Sequence, residues 1–295
     1  MKHLKLFENK SQYDTYSQSI EAILPNVSYV AEDKLVYYNP FKSGDIDYSN
    51  EYLYFEALED GMTVSFTKNA TSGSLYYSLD KQEWNELTAE TPVVNNGEKV
   101  YFKGDLVPAS YDGIGTFTID KNCNVGGNVM SLLFGDNFIG KTDFTGYDYA
   151  FYKLFDNCTA IKSAENLSLP ATTLANECYS SMFYGCTSLT TAPELPATTL
   201  AKKCYNYMFS GCTNLTTAPE LPATTLISNC YSSMFKGCTK LNYIKAMFTT
   251  TPSDSYTYNW VSGVSATGIF VKNANATWNA TGVYGIPSGW TVQTA

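Results

Sequence analysis

A 26-residue period runs through the carboxyl half of the chain. Pro170, Pro196 and Pro222 are spaced by 26, as are Cys178, Cys204 and Cys230, then Phe183, Phe209 and Phe235, and finally Cys186, Cys212 and Cys238. Residues 178–203 and 204–229 are identical at 19 of 26 positions. A more divergent copy ends at Phe155-Asp156-Asn157-Cys158-Thr159, from which the step to Phe183 is 28 residues. A unit this short cannot bury its apolar face alone, so neighbouring units must stack and share a core. The period therefore dictates one continuous array over this half of the chain.

Within a unit, Leu200, Cys204 and Met208 fall at i, i+4 and i+8, which predicts a helix with Thr198 or Thr199 as its cap and Gly211 at its end. Leu215-Thr216-Thr217-Ala218 then reads as a short strand before Pro219. One helix and one strand per unit is the plan of a leucine-rich-repeat solenoid. From Thr249 onward the period breaks, and Trp260, Trp278, Gly285-Ile286-Pro287 and Gly289-Trp290 read as a terminal cap over the last apolar face.

Seven of the eight cysteines lie in the array. Their recurrence at core positions points to buried thiols acting as small hydrophobes. A disulfide framework is the competing reading. The Cys-x7-Cys spacing with no nearby histidine is not a zinc pattern.

The amino-terminal half divides differently. Ser11 as a cap, with Tyr13, Tyr16 and Ile20 at helical spacing and Pro25 as the stop, predicts a short helix with Phe7 packing near its start. Asn26 to Val30 and Leu35 to Tyr38 then predict a hairpin. From Asp47 to Asp120 the chain carries about seven short strands at regular spacing, which predicts an immunoglobulin-like β-sandwich. Cys123 is the only cysteine near it, so an inter-sheet disulfide is excluded. Trp84 is expected in the core or a strand-edge groove, with aromatic sugar binding the alternative.

Composition removes several functions. Only 19 Lys and Arg stand against 28 Asp and Glu, a net charge of −9. That leaves little basic surface for nucleic acid or an anionic membrane. No apolar run approaches the ~20 residues of a membrane span. The opening Met1 to Lys10 lacks the apolar core of an export signal, and no cysteine near residue 20 offers a lipidation site. His3 is the only histidine, so Ser-His-Asp or Cys-His catalysis would have to run through the terminus. Gly135-Asp136-Asn137-Phe138-Ile139-Gly140-Lys141-Thr142 satisfies the phosphate-loop pattern. The following Asp143-Phe144-Thr145-Gly146 is a poor helix opening, and no later strand supplies a magnesium-binding aspartate, so the segment reads as a loop of the array's first unit. Asn157-Cys158-Thr159 and Asn214-Leu215-Thr216 are sequons, but they recur with the repeat and are read as part of it. No catalytic, metal or cofactor residues are assigned.

Cys186-Thr187-Ser188-Leu189-Thr190-Thr191-Ala192-Pro193 and Glu220-Leu221-Pro222-Ala223-Thr224-Thr225-Leu226 resemble the BspA-type leucine-rich repeats of gut Bacteroidales and their phages. The likeness covers roughly residues 121–245, and the segment from Trp260 to Trp290 is similar to the terminator of such arrays. It implies protein or glycan contact, not catalysis. Met1 to Phe7 followed by Leu24-Pro25-Asn26-Val27-Ser28-Tyr29-Val30 resembles, more loosely, the amino-terminal module of head-fibre and other virion-surface proteins of crAss-like phages. That resemblance implies attachment to capsid proteins through Leu4 to Pro40.

The expected architecture is multidomain and β-rich. Residues 1–42 form a helix-plus-hairpin anchor, 43–120 the sandwich, 121–248 an α/β leucine-rich-repeat solenoid and 249–295 the cap. The expected function is a non-enzymatic virion-surface protein, a head fibre or capsid decoration assembled in the host cytoplasm. Such a protein self-associates as a dimer or trimer and binds a host surface protein or glycan; a bacterial surface adhesin is the alternative. Leu4, Leu6, Phe7, Tyr13, Tyr16, Ile20, Val27 and Tyr29 are the candidate capsid or oligomer contacts.

Overall fold

A computed structural model describes residues 48–295 together with three strands of the preceding segment: β1 (Lys5–Leu6), β2 (Val27–Val30) and β3 (Leu35–Tyr38). The chain forms two compact units, Met1–Asp47 and Tyr48–Ala295. In the first, β3 is the central strand of an antiparallel sheet ordered β1-β3-β2. Leu35 pairs with Val30 on one side and Leu6 on the other. The hairpin expected at 26–38 is thus present, while the helix expected from Ser11, carrying Tyr13, Tyr16 and Ile20, lies outside the described residues.

The second unit opens with strands β4 (Leu53–Ala57), β5 (Val64–Lys68), β6 (Leu75–Ser78), β7 (Asn85–Glu86), β8 (Lys99–Gly104), β9 (Gly115–Ile119) and β10 (Cys123–Asn128). In β8, buried Val100, Phe102 and Gly104 alternate with half-buried neighbours, the pattern of a sheet with one face on a core. The strand expected at Val93-Val94 is reduced to a bridge between Val94 and Met62. The pairing also departs from an immunoglobulin-like arrangement. β10 pairs antiparallel with β4 but parallel with β11 (Ile161–Ser168), giving a six-stranded sheet ordered β11-β10-β4-β8-β6-β7. A separate antiparallel pair, β5 and β9, contributes Phe117 against Phe55 and Phe102, each 5.1 Å away between ring centroids. Phe155 of the first repeat lies 6.0 Å from Phe55, so the strand region and the repeats share one hydrophobic core.

The repeats stack, but not through helices. The helix expected along Leu200, Cys204 and Met208 does not form. Apart from α1 (Ser131–Phe134) and α2 (Asp254–Thr257), the described residues contain no α-helix. Each unit instead runs as a chain of turns in which alternate backbone N–H groups go to two different places. Ser180, Met182 and Tyr184 donate back three residues to Glu177, Tyr179 and Ser181 at 3.1–3.3 Å. Tyr179, Ser181, Phe183 and Gly185 donate forward to Cys204, Asn206, Met208 and Ser210 of the next unit at 2.8–3.0 Å. Every fourth residue is left-handed: Glu177, Ser181 and Gly185, then Lys203, Tyr207 and Gly211. A left-handed non-glycine residue costs about 1–2 kcal/mol. The hydrogen bonds between units satisfy backbone groups that an isolated turn would leave to water.

This geometry explains the i, i+4, i+8 spacing. A 3.6-residue helix drifts when sampled every four residues, whereas a four-residue turn unit returns to the same face. Cys204 with Tyr205, and Met208 with Phe209, are accordingly all buried.

Stacking places identical side chains over one another. Tyr179, Tyr205 and Tyr231 form one column with centroid spacings of 5.8 and 6.0 Å, and Phe183, Phe209 and Phe235 another at 5.5 and 5.9 Å. All eight cysteines are free and buried. Cys186, Cys212 and Cys238 donate their thiols to the carbonyls of Phe155, Phe183 and Phe209 in the preceding unit at 3.0–3.1 Å.

On the opposite side of each unit the expected strand is full-length only where proline is absent. β11 and β12 (Tyr243–Ala246) are continuous, while the equivalent segments at Pro193 and Pro219 contribute only isolated bridges, through Thr191 in the first and through Thr217 and Leu221, on either side of the proline, in the second. Proline lacks the N–H that a ladder needs.

The array closes with β13 (Ile269–Lys272) and β14 (Thr291–Thr294), added in parallel to β12. The turn chain continues through Gly263, and Trp260 occupies the place that Met182, Met208 and Met234 hold in earlier units. The indole N–H groups of Trp260, Trp278 and Trp290 each donate to a backbone carbonyl, those of Gly285, Phe248 and Ser265. The segment after Thr249 therefore extends the array by one more turn chain, through Gly263, before β13, β14 and the three tryptophans pack against it.

Candidate functional site

The left-handed positions that shape each unit also aim side chains outward in columns. Tyr149, Glu177 and Lys203 begin the turn chains of three successive units. Stacking brings their heads together: the Tyr149 hydroxyl donates to Glu177 Oε1 at 3.3 Å, and Lys203 Nζ lies 3.0 Å from the same oxygen. Burial, followed by the adjacent Glu177 carboxylate, pushes the Tyr149 hydroxyl up to about 12. The following positions of the three units are Tyr152, Ser180 and Asn206, and after them Lys153, Ser181 and Tyr207, of which the two serines are buried.

Between these columns lies an open cleft of about 560 Å³ on the turn side of the stack. Tyr184, 40% exposed, meets Tyr207 edge-on at 6.3 Å, and the two rings form one wall. Lys153 lies 5.2 Å from the ring of Tyr152 on the other side. Asp156 is pushed above the usual carboxylate range by its burial, against the pull of Lys153 and the Asn157 amide. The charged lining is thus balanced, with Lys153 and Lys203 against Asp156 and Glu177. The volume falls within the ~300–1,000 Å³ of small-ligand sites. An exposed tyrosine, Tyr111, lies beyond it at 5.1 Å from Tyr149.

A second aromatic group surrounds Trp84, whose ring lies 4.9 Å from Tyr52. Lys103 sits 4.3 Å over the indole and pairs with Asp136 at 2.7 Å, and the Tyr52 hydroxyl donates to the same carboxylate. Trp84 therefore occupies the strand-edge setting expected for it, with its neighbours already satisfied by one another.

The phosphate-loop-like segment has a different geometry from its sequence pattern. Gly135–Asn137 is a single 3-10 turn, Asp136 is engaged by Lys103 and Tyr52, and Asp143 accepts from the backbone and hydroxyl of Thr145 in a local turn. No helix N-terminus follows Thr142 to face a phosphate. Among the described residues no group of three or more His, Cys, Asp or Glu could hold a metal ion, and no helix is long and apolar enough to cross a membrane.

Of the residues expected to mediate attachment, Leu6 lies in β1 and Val27 and Tyr29 in β2, where they pair with Leu35, Tyr38 and Val36. Leu4, Phe7, Tyr13, Tyr16 and Ile20 lie outside the described residues. The cleft was not foreseen from sequence. The signal that could reveal it is a repeat column whose members differ in a complementary way, as Tyr149, Glu177 and Lys203 do.

No curated protein and no solved structure matches the chain. Residues 148–264 match the family model of the BspA type leucine rich repeat region, in six copies. The matched segment begins and ends later than the 121–245 read from sequence, and it takes in the turn chain that ends at Gly263. The repeat part of this chain is thus similar to the BspA type leucine rich repeat region.

Proposed function

We propose that the protein is a non-catalytic recognition protein of a surface, whose repeat stack supplies the binding face. The observation that carries this reading is the open cleft crossing three stacked units, lined by side chains that the hydrogen-bond ladder holds in place. The BspA-type match over residues 148–264 supports a surface or adhesin-type role for the repeats. In the fuller form of the proposal the protein belongs to a virion. The amino-terminal segment 1–42 then attaches to capsid proteins and self-associates as a dimer or trimer, while the repeats face the host surface. Carriage on a bacterial surface is the second reading, favoured by the repeat match alone.

Binding of the purified full chain to intact Bacteroidales cells tests the recognition role. Saturable binding supports it; its absence, together with hydrolysis of surface polysaccharide by the chain, overturns it. Co-sedimentation with capsids lacking the protein, and light-scattering mass beside a chain without residues 1–42, tests the virion form. Equal monomeric masses and no capsid binding would leave the adhesin reading.

A further inference from the structure

We propose that the cleft between Tyr152 and Tyr207 is a binding site for an uncharged oligosaccharide. The inference rests on the recognition reading above and names the ligand class at that face. The charge balance of the lining selects against ions. Lys203 is paired with Glu177 at 3.0 Å, and Lys153 stands on the same side as the partly buried Asp156. An anionic glycan or a phosphate would meet carboxylates as often as ammonium groups, and a cation the reverse. A protein hot spot calls for a desolvated apolar pocket at its centre. Here buried Ser180 and Ser181 form the floor. What the cleft offers is tyrosine rings on one wall, with Asn157, Ser180 and Asn206 set among the charge-balanced lysines and carboxylates of the remaining lining. Tyr184 and Tyr207 meet at 63° and present rings to which the C–H face of a sugar can pack. The amide of Asn206 supplies both a donor and acceptors for vicinal hydroxyls. The cleft is open to solvent, so it accommodates internal residues of a chain as well as an end.

The test is calorimetric titration of the full chain with neutral gluco-, manno- and galacto-configured di- to tetrasaccharides, beside uronate-containing counterparts. A Tyr184→Ala/Tyr207→Asn double variant removes both rings, and asparagine tolerates the left-handed backbone at 207. Tyr258→Ala, at an exposed tyrosine of the last turn chain, is the control. We expect at least one neutral oligosaccharide to bind with little salt dependence. Its affinity should fall about tenfold or more in the double variant and stay unchanged in the control. Failure of every neutral oligosaccharide to bind, preference for the uronates with a steep salt dependence, or equal binding by the double variant would each overturn the proposal. Cell binding that persists without any oligosaccharide binding would do so while leaving the recognition role standing; loss of both would remove the two together.

Discussion

Tyr179 and Tyr205 stack with ring centroids 5.8 Å apart and planes within 1° of parallel, and Tyr231 continues the column beneath them. Because each ring is the floor of one unit and the roof of the next, its removal opens two interfaces at once. Tyr205→Ala is expected to cost about 3–5 kcal/mol, the range for truncating a large buried aromatic. Tyr205→Phe keeps the stack and should cost less than about 1.5 kcal/mol. Urea unfolding of the two variants checks this. The alanine variant should also broaden the transition as the units on either side uncouple.

The left-handed residue that ends each turn chain is glycine at 185, 211 and 237. At Gly211 φ is +80°, and an added Cβ would meet the Cα of Gly185 in the preceding unit at 3.4 Å, an ordinary contact. The cost of Gly211→Ala is therefore backbone strain alone, and it should destabilise by about 1–2 kcal/mol. A midpoint in urea unchanged from the parent would refute this account of the turn chain.

How much of this was legible follows from what the repeat encodes. The 26-residue columns of Pro, Cys and Phe announce a stack, and the structure places Phe183, Phe209 and Phe235 over one another as such a register requires. The local conformation was misread because Leu200, Cys204 and Met208 fit an α-helix as well as a four-residue turn, and no propensity distinguishes Ser181 or Tyr207 in a left-handed state that only neighbouring units make favourable. Leu215 to Ala218 reads as a short strand before Pro219, but the proline's missing N–H breaks the ladder into isolated bridges at Thr217 and Leu221. The cleft was invisible for a third reason: Asp156, Tyr184 and Tyr207 belong to three units and become neighbours only through stacking.

The cysteines give a chemical readout of the same packing. Burial pushes the thiols of Cys178, Cys230 and Cys238 up to about 12. Reactivity requires the thiolate and access to it. None of the eight thiols should react readily with an aromatic disulfide reagent in the native protein at pH 8, and all eight should react in denaturant. Reducing agent should leave the unfolding transition unmoved, whereas a shift would point to disulfides.

The same elevation makes stability depend on alkaline pH. A thiol near 9 in the unfolded chain and about 12 in the folded one keeps its proton longer when folded. Its stabilising difference is fully present below about pH 9 and is lost as pH rises toward 12. In that window the unfolded state binds fewer protons, so each such thiol lowers stability by about 1.4 kcal/mol per pH unit. Unfolding free energies measured between pH 8 and 10.5 should fall with a slope steeper than one group can produce. A flat profile would mean that the thiols are accessible to solvent in the native state.

Trp260 marks the point where the repeat stops extending and begins to close. It stands where earlier units carry methionine, yet it is fully buried, packs 5.8 Å from Phe248 and 6.1 Å from Phe270, and donates its indole N–H to the Gly285 carbonyl at 2.9 Å. Trp260→Met restores the residue type of the array and should still fit the rung above, because Met234 already does so one unit earlier. It cannot reach Gly285, so a buried carbonyl loses its donor and the space between Phe248 and Phe270 is underfilled. The expected cost is about 2–4 kcal/mol, from a cavity and a lost hydrogen bond together. Hydrogen exchange distinguishes this from general destabilisation: amides of β13 and β14 should lose protection while those of residues 177–211 keep theirs. Uniform loss across the array would mean that the cap and the repeats unfold as one cooperative body.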